Sequence, residues 1–303
     1  MATAREIRRR IRSVRNIAQV TRALETISAS RVRRAQAQVL ATRPYARKAW
    51  QVLTHLASQA APGARTHPLL TRRSQVNTLG IVLLTSDRGL CGAFNYNMVR
   101  TTMDLVGSRG KPVQLITVGR KGRDIMWRMG YPIVAEFTRL PDGPSVLDIA
   151  PIARTAIDDF LSGVVDEVVL AYTEFVNTLK QRPIVRQLLP IEPGEAGTHA
   201  LAKHVEGVSG GAAEYLYEPS PSQILDAVLP RFTELQVYQA VLESYASEHS
   251  ARMVAMRNAT ENAEALIDDL TLSYNKARQQ AITREILDIA GGAEALARTL
   301  KGV

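Results

Sequence analysis

The stretch REIRRRIRSVRNIAQVTRALETISASRVRRAQ, residues 5–36, decides how the rest of the chain is read. Apolar residues recur at Ile7, Ile11, Val14, Ile17, Val20, Leu24 and Ile27, three or four apart, and the stripe resumes at Val32, Ala35 and Val39. The first 57 residues hold no glycine and one proline, Pro44. This is a helix with a narrow apolar seam, the pattern of one strand of a coiled coil. At 1.5 Å per residue it runs about 80 Å, too long to fold back inside a small globule. Such a seam requires a long partner.

The partner is at the other end. Val228, Phe232, Leu235, Tyr238, Leu242, Tyr245, His249, Met253 and Met256, then Ala263, Ile267, Leu270, Tyr274 and Ala277, are again three or four apart. We therefore expect an antiparallel coiled coil of residues 1–57 and 222–303. The second helix is the longer by roughly 20 residues, or about 30 Å. Its excess, AITREILDIAGGAEALARTL (281–300), still carries Ile282, Ile286, Leu287 and Ile289. Apolar residues on a lone helix signal a missing partner.

Between the helices the period changes. LGIVLLT (79–85), VQLITVG (113–119), PIVAEF (132–137), EVVLAY (167–172) and PIVRQLLPI (183–191) read as strands. Helical stretches at 94–106, 120–129 and 146–163 separate them. Strand and helix in alternation predict a compact α/β domain over 76–191 with a largely parallel sheet. Residues 192–221, rich in Gly, Ala and Glu at their start, read as a loop with the motif YLYEP (215–219) at its end.

Composition narrows the function. The chain has 303 residues, 46% hydrophobic and 22% charged, a globular balance. Its single cysteine rules out an internal disulfide framework, a cysteine-rich zinc site and a thiol switch within the chain. No apolar run approaches the roughly 20 residues that span a bilayer. The basic start, MATAREIRRRIRSV, lacks the apolar core of a secretory signal, and a bacterial chain is expected rather than an organelle precursor. The net charge of +9 is unevenly spread. Residues 1–48 hold thirteen Lys and Arg against Glu6 and Glu25, whereas 223–301 hold eleven acids against eight bases. A basic helix suits nucleic acid, an anionic membrane surface or an acidic protein. The low aromatic content, 5%, weighs against single-stranded nucleic acid.

TSDRGLCGAFN (85–95) has the look of a catalytic loop, with Asp87, Arg88, two glycines and Cys91 after a strand. Gly89 and Gly92 fit neither a Walker loop nor a dinucleotide fingerprint. All five histidines lie outside residues 76–190, so Cys91 has no local base. We read a structural turn in which Asp87 accepts local backbone N–H groups, the glycines allow the tight turn and Asn95 caps the next helix. His249, Met253 and Met256 read as packing residues. No catalytic, cofactor or metal residue is expected. The rival classes are an α/β-domain oxidoreductase and a nucleic-acid-binding coiled-coil protein.

Four stretches carry a resemblance that spans nearly the whole chain: residues 5–36, LTSDRGLCGAFN (84–95), YLYEPSP (215–221) and SEHSARMVAMRNATENAEALIDDLTLSYNKARQQAIT (247–283). They resemble the gamma subunit of F-type ATP synthases, the central rotor shaft, in its bacterial type. The resemblance implies a coiled coil with an inserted Rossmann-like α/β domain, turning inside a ring of α and β subunits. It also implies an epsilon subunit and a c-subunit ring as partners. Membrane contact would be indirect, through the c ring at the cytoplasmic face of a bacterial membrane, with no nucleic acid and no cofactor. Arg252, Arg278, Gln279 and Thr283 occupy places that engage a loop of β, and Leu24 lies near the β lever, where the bacterial pattern often has Met. Tyr215 and Glu218 match the foot that meets the c ring.

Overall fold

A computed structural model describes residues 3–58, 67–192 and 221–301. Helix α1 spans Ala4–Ser58 and helix α5 spans Pro221–Lys301. Between them run strand β1 (Leu79–Leu84), helix α2 (Phe94–Arg109), β2 (Val113–Val118), α3 (Arg120–Arg128), β3 (Ile133–Phe137), α4 (Val146–Leu161), β4 (Glu167–Phe175) and β5 (Gln181–Leu189). Each expected element exists, with ends displaced by a few residues. The expected loop and foot, including Tyr215 and Glu218, lie almost wholly outside the described residues.

The sheet order is β3-β2-β1-β4-β5, parallel except for the antiparallel pair β4–β5. Period-2 alternation sends neighbouring side chains of β1 to opposite faces. Ile81 and Leu83 join Met98 of α2 and Met126 of α3 in one core. Val82 and Leu84 join Ile149, Ile152 and Phe160 of α4 in the other. A sheet buried on both faces explains why β1 is buried at all six positions and reads as a continuous apolar run. Local signals set the helix ends: Ser145 and Asp148 form a reciprocal capping box at α4, as Thr3 and Glu6 do at α1.

The chain forms two compact units that cut across the expected domains: residues 28–253, and residues 1–27 with 254–303. Within the larger unit α5 is part of the α/β core, since Leu229, Phe232, Leu235, Tyr238 and Leu242 belong to the same cluster as Val82 and Ile152. Val39 and Ala49 of α1 pack against that cluster too. From Phe232 to Ser250 every residue is buried except Tyr245 and Glu248, which are half-buried. The expected pairing with the N-terminal helix is joined here by a second partner: one stretch of helix is covered by both α1 and the α/β core.

The seam of α1 also differs from expectation. Ile7, Ala18, Thr21, Ser28, Val32 and Ala35 are buried, with Ile11, Val14 and Glu25 half-buried between them. These positions alternate by four and three without a break, a strict heptad. Ile17, Val20 and Ile27 lie outside it and are at least half exposed. Following the large aliphatic residues drifts off the seam, because small residues let the backbones approach and occupy it instead. In the smaller unit the Thr21 and Thr260 hydroxyls bond each other at 2.7 Å across the interface.

Gly119, after β2, sits at φ +93°, and a Cβ there would meet the Thr85 carbonyl oxygen at 2.2 Å. The backbones of β1 and β2 can turn into their loops only if this residue has no side chain. Gly119→Ala should destabilise the chain by more than about 2 kcal/mol. Gly110→Ala, at φ +58° in open space, should cost about 1 kcal/mol. Urea unfolding of the two variants checks the order; equal losses would reject the steric argument.

Candidate functional site

Two regions carry the residues singled out from sequence: the far part of α5, and the loop between β1 and α2. In the smaller unit, α5 is half-buried at Tyr274 and Ala277 and exposed from Arg278 to Ala293. Ile282, Ile286, Leu287 and Ile289 stand on that bare surface, the last at 67% exposure. Arg278, Gln279 and Thr283 are exposed at its start, immediately beyond the last residues supported by the coiled coil. Leu24, on α1, is half-buried beside the exposed Ile17, Val20 and Ile27. These residues form two outward surfaces of one coiled coil.

The N-terminal arginines complete that exterior. Arg5, Arg8, Arg9, Arg10, Arg12 and Arg15 are exposed and have no ion pair among the described residues. Arg22 pairs with Glu264, but both side chains are more than half exposed, so the pair adds little to stability. The charge difference between the two helices is therefore mostly unspent inside the smaller unit.

The loop after β1 belongs to the larger unit. Asp87 does accept backbone N–H groups, but distant ones: Arg120 N at 3.1 Å and Arg139 N at 2.8 Å. One carboxylate thus ties together the loops that follow β1, β2 and β3. Asn95 does not cap α2, whose cap residue is Ala93 with no side-chain bond. Its amide accepts from Ser86 N at 3.0 Å and donates to Ser86 Oγ at 2.7 Å, bracing the loop from inside. Gly92 takes the left-handed backbone as expected, whereas Leu90, not Gly89, holds the other such position at φ +62°. The Leu90 side chain points outward at 65% exposure.

Arg252 is used inside the chain rather than at an outer surface. It is 8% exposed. Its guanidinium donates to the carbonyls of Arg88 and Gly89 at 3.3 Å and to Glu248 at 2.7 Å, and lies 3.2 Å from His249 Nδ1. Arg252 latches the loop onto α5. The spacing of residues on one helix gave no hint of this, because its partners are carbonyls some 160 residues away.

Cys91 is buried, with Asn95 Nδ2 at 3.3 Å, Ser86 Oγ at 3.8 Å and the Arg88 carbonyl at 3.9 Å. Burial raises its pKa, so the thiol is held away from the reactive thiolate form. His249 packs edge-on to Tyr245 at 4.3 Å. Burial first, then the neighbouring Arg252 and Arg31, push its pKa down to about 3. No cluster of three or more metal-ligating side chains occurs among the described residues. None of their helices is long and apolar enough to cross a membrane.

Comparison with known proteins gives one answer over the full length. The family model described as ATP synthase matches residues 3–296. The chain is 48% identical to the ATP synthase gamma chain of Chloroflexus aurantiacus strain J-10-fl, covering 98% of this chain and 99% of that one. It is 50% identical to the ATP synthase gamma chain of Dehalococcoides mccartyi strain CBDB1, covering 98% and 100%. A chain in the cryo-EM structure of the Euglena gracilis mitochondrial ATP synthase (OSCP/F1/c-ring, rotational state 3) shares the fold. Its TM-score is 0.64 at 20% identity, covering 97% of this chain and 94% of that one.

Two outcomes follow from the loop geometry. Cys91 should react with iodoacetamide far more slowly in the folded chain than in urea, and Cys91→Ser should change stability by less than about 1 kcal/mol. Equal alkylation rates would contradict the burial. His249 should make stability depend on pH. Its folded pKa lies below the unfolded value of about 6.5, so its neutral form is favoured in the fold. Stability is complete above about pH 6.5 and falls as the pH drops toward 3. Glu248, whose pKa burial raises, works in the opposite sense as pH rises above its unfolded value. Melting curves of wild type and His249→Gln isolate the histidine: between pH 7.5 and 5.5 the wild type should lose more melting temperature than the variant.

Proposed function

The chain belongs to the ATP synthase gamma-chain family, and on that premise we propose that it is the central rotary shaft of an F-type ATP synthase. It couples ion flow through a membrane ring of c subunits to ATP synthesis and hydrolysis on α and β subunits. It makes and breaks no bond itself, and its partners are α, β, epsilon and the c ring. It works as a peripheral component at the cytoplasmic face of a bacterial membrane.

The observation that carries this reading is the bare apolar surface of α5 beyond Ala277, beside an arginine-rich helix whose charges find few partners among the described residues. A lone helix bearing Ile282, Ile286, Leu287 and Ile289 needs a surrounding apolar sleeve. The unpaired arginines of α1 need acidic surfaces, and acidic segments of β supply them. Apolar side chains slide without a fixed register, as a bearing requires.

Coupling requires contacts strong enough to hold at each dwell and weak enough to release. Charged hydrogen bonds of about 1.5–3 kcal/mol suit that role. We assign it to Arg278 and Gln279, with Thr283 adjoining them and Leu24 giving an apolar contact to the β lever. Arg252 is left to hold the shaft together from within. Tyr215 and Glu218 are assigned to the foot on the c ring.

Arg278→Ala should therefore cut ATP synthesis strongly in reconstituted vesicles while the complex still assembles. Deleting residues 290–303 should cost much less. Comparing synthesis rates at matched assembly tests the assignment. A deletion that abolishes synthesis while Arg278→Ala leaves it intact would place the coupling contact at the wrong level of α5.

A further inference from the structure

Within the larger unit a cavity of about 340 Å³ lies outside the carboxyl ends of β1 and β2, between the loops that follow them and α5. Open α/β sheets bind ligands outside the carboxyl ends of their strands, and this cavity sits at the carboxyl ends of two neighbouring parallel strands. The β-subunit contacts proposed at Arg278, Gln279, Thr283 and Leu24 lie outside this cavity.

Its charge is unbalanced. Five arginines (31, 88, 120, 139 and 252) line it against Asp87, Asp142 and Glu248, an excess of two positive charges. The carboxylates are already committed. Asp142 pairs with Arg31 and accepts the Tyr245 hydroxyl at 2.7 Å. Glu248 pairs with Arg252. Asp87 holds the two backbone N–H groups described above, with the Arg120 guanidinium only within 3.9 Å. The Arg88 and Arg139 side chains have no hydrogen bond or ion pair among the described residues, and Arg120 Nε, apart from the long ion pair with Asp87, has no hydrogen-bond partner among them.

A second observation is independent of that charge. His249 is 2% exposed and on the cavity wall. The Arg252 guanidinium can only donate, so His249 Nδ1 must accept from it, and Nε2 must carry the ring hydrogen. Nε2 has no acceptor among the described residues. Nε2 itself has no accessible surface, so this unmet donor lies just behind the cavity wall and adds to the positive character of that side.

We propose that this cavity binds a small tetrahedral oxyanion of the phosphate class, held by Arg88, Arg120 and Arg139 at its mouth. Guanidinium groups match such oxygens geometrically as well as in charge. Among the described residues the cavity offers no free ring for a nucleotide base: Tyr245 bonds Asp142 through its hydroxyl and packs edge-on with His249. Glycine spacing could not disclose the site, since it is built from side chains of three separate segments rather than from a backbone cradle. A bound oxyanion would link the segments that follow β1, β2 and β3.

The test is calorimetric titration of the full chain with sodium phosphate, with sodium chloride at matched ionic strength, and with ADP. Phosphate should give a saturable heat and a matching rise in melting temperature that chloride does not reproduce. The double variant Arg88→Gln/Arg139→Gln changes two exposed positions, and circular dichroism checks that it stays folded. It should bind phosphate at least about tenfold more weakly. Absence of saturable phosphate binding by the wild type would overturn the proposal. So would undiminished binding by the folded variant, or ADP binding more than about tenfold tighter than phosphate.

Discussion

The structure depends on one constraint: a long stretch of α5, from Phe232 to Ser250, has almost no surface left for water. A helix with one apolar stripe can lie on a single neighbour. This one is buried on every side, and within the larger unit it completes the core of the α/β domain while α1 covers it as well. The sheet's second face, the packing of α4 and the position of α1 residues such as Val39 all rest on that shared helix.

Burial on every side has a second consequence. The stretch carries Gln236, Gln239, Glu243, Ser247, His249, Ser250 and, just beyond, Arg252, all of them buried. A buried polar group that finds no partner is costly, so Gln239, Ser247 and Arg252 favour the register in which their partners exist. Ser247 donates to the Thr173 carbonyl on β4, Thr42 of α1 donates to Gln239, and Arg252 reaches the carbonyls of Arg88 and Gly89. Apolar packing alone would let the helix slide by a turn; these contacts do not. A shaft that transmits torque benefits from that fixity where the helix meets the domain.

The smaller unit is built on the opposite principle. Its coiled coil closes at mid-length through small residues, Ala18 and Thr21 on α1 and Thr260 and Ala263 on α5, and leaves Ile17, Val20 and Ile27 outside. Close approach of the two backbones then comes from the absence of bulk. The outward isoleucines and valines, the free arginines and the bare end of α5 become available to other chains. Apolar surface that a monomer would hide is here left over after its own core is complete.

The two long helices, the alternation of strand and helix between them and the excess length of α5 were legible in residues 5–36, 79–191 and 222–300, because hydrophobic period and glycine content are local properties. The non-catalytic character expected of TSDRGLCGAFN rested equally on local facts, the glycine spacing and the lack of a nearby base. What the sequence could not disclose depends on which distant groups meet. The heptad of α1 passes through Ala18, Thr21 and Ser28, which carry too little hydrophobicity to stand out in a pattern search. Asp87 binds backbone 33 and 52 residues away, and Asn95 braces Ser86 instead of capping a helix. Arg252 looked like an outward contact on its own helix until the loop after β1 was brought against it. Those choices belong to the tertiary structure, since a buried donor or carboxylate is satisfied by whatever the fold places within about 3 Å of it, and sequence spacing carries no record of that distance.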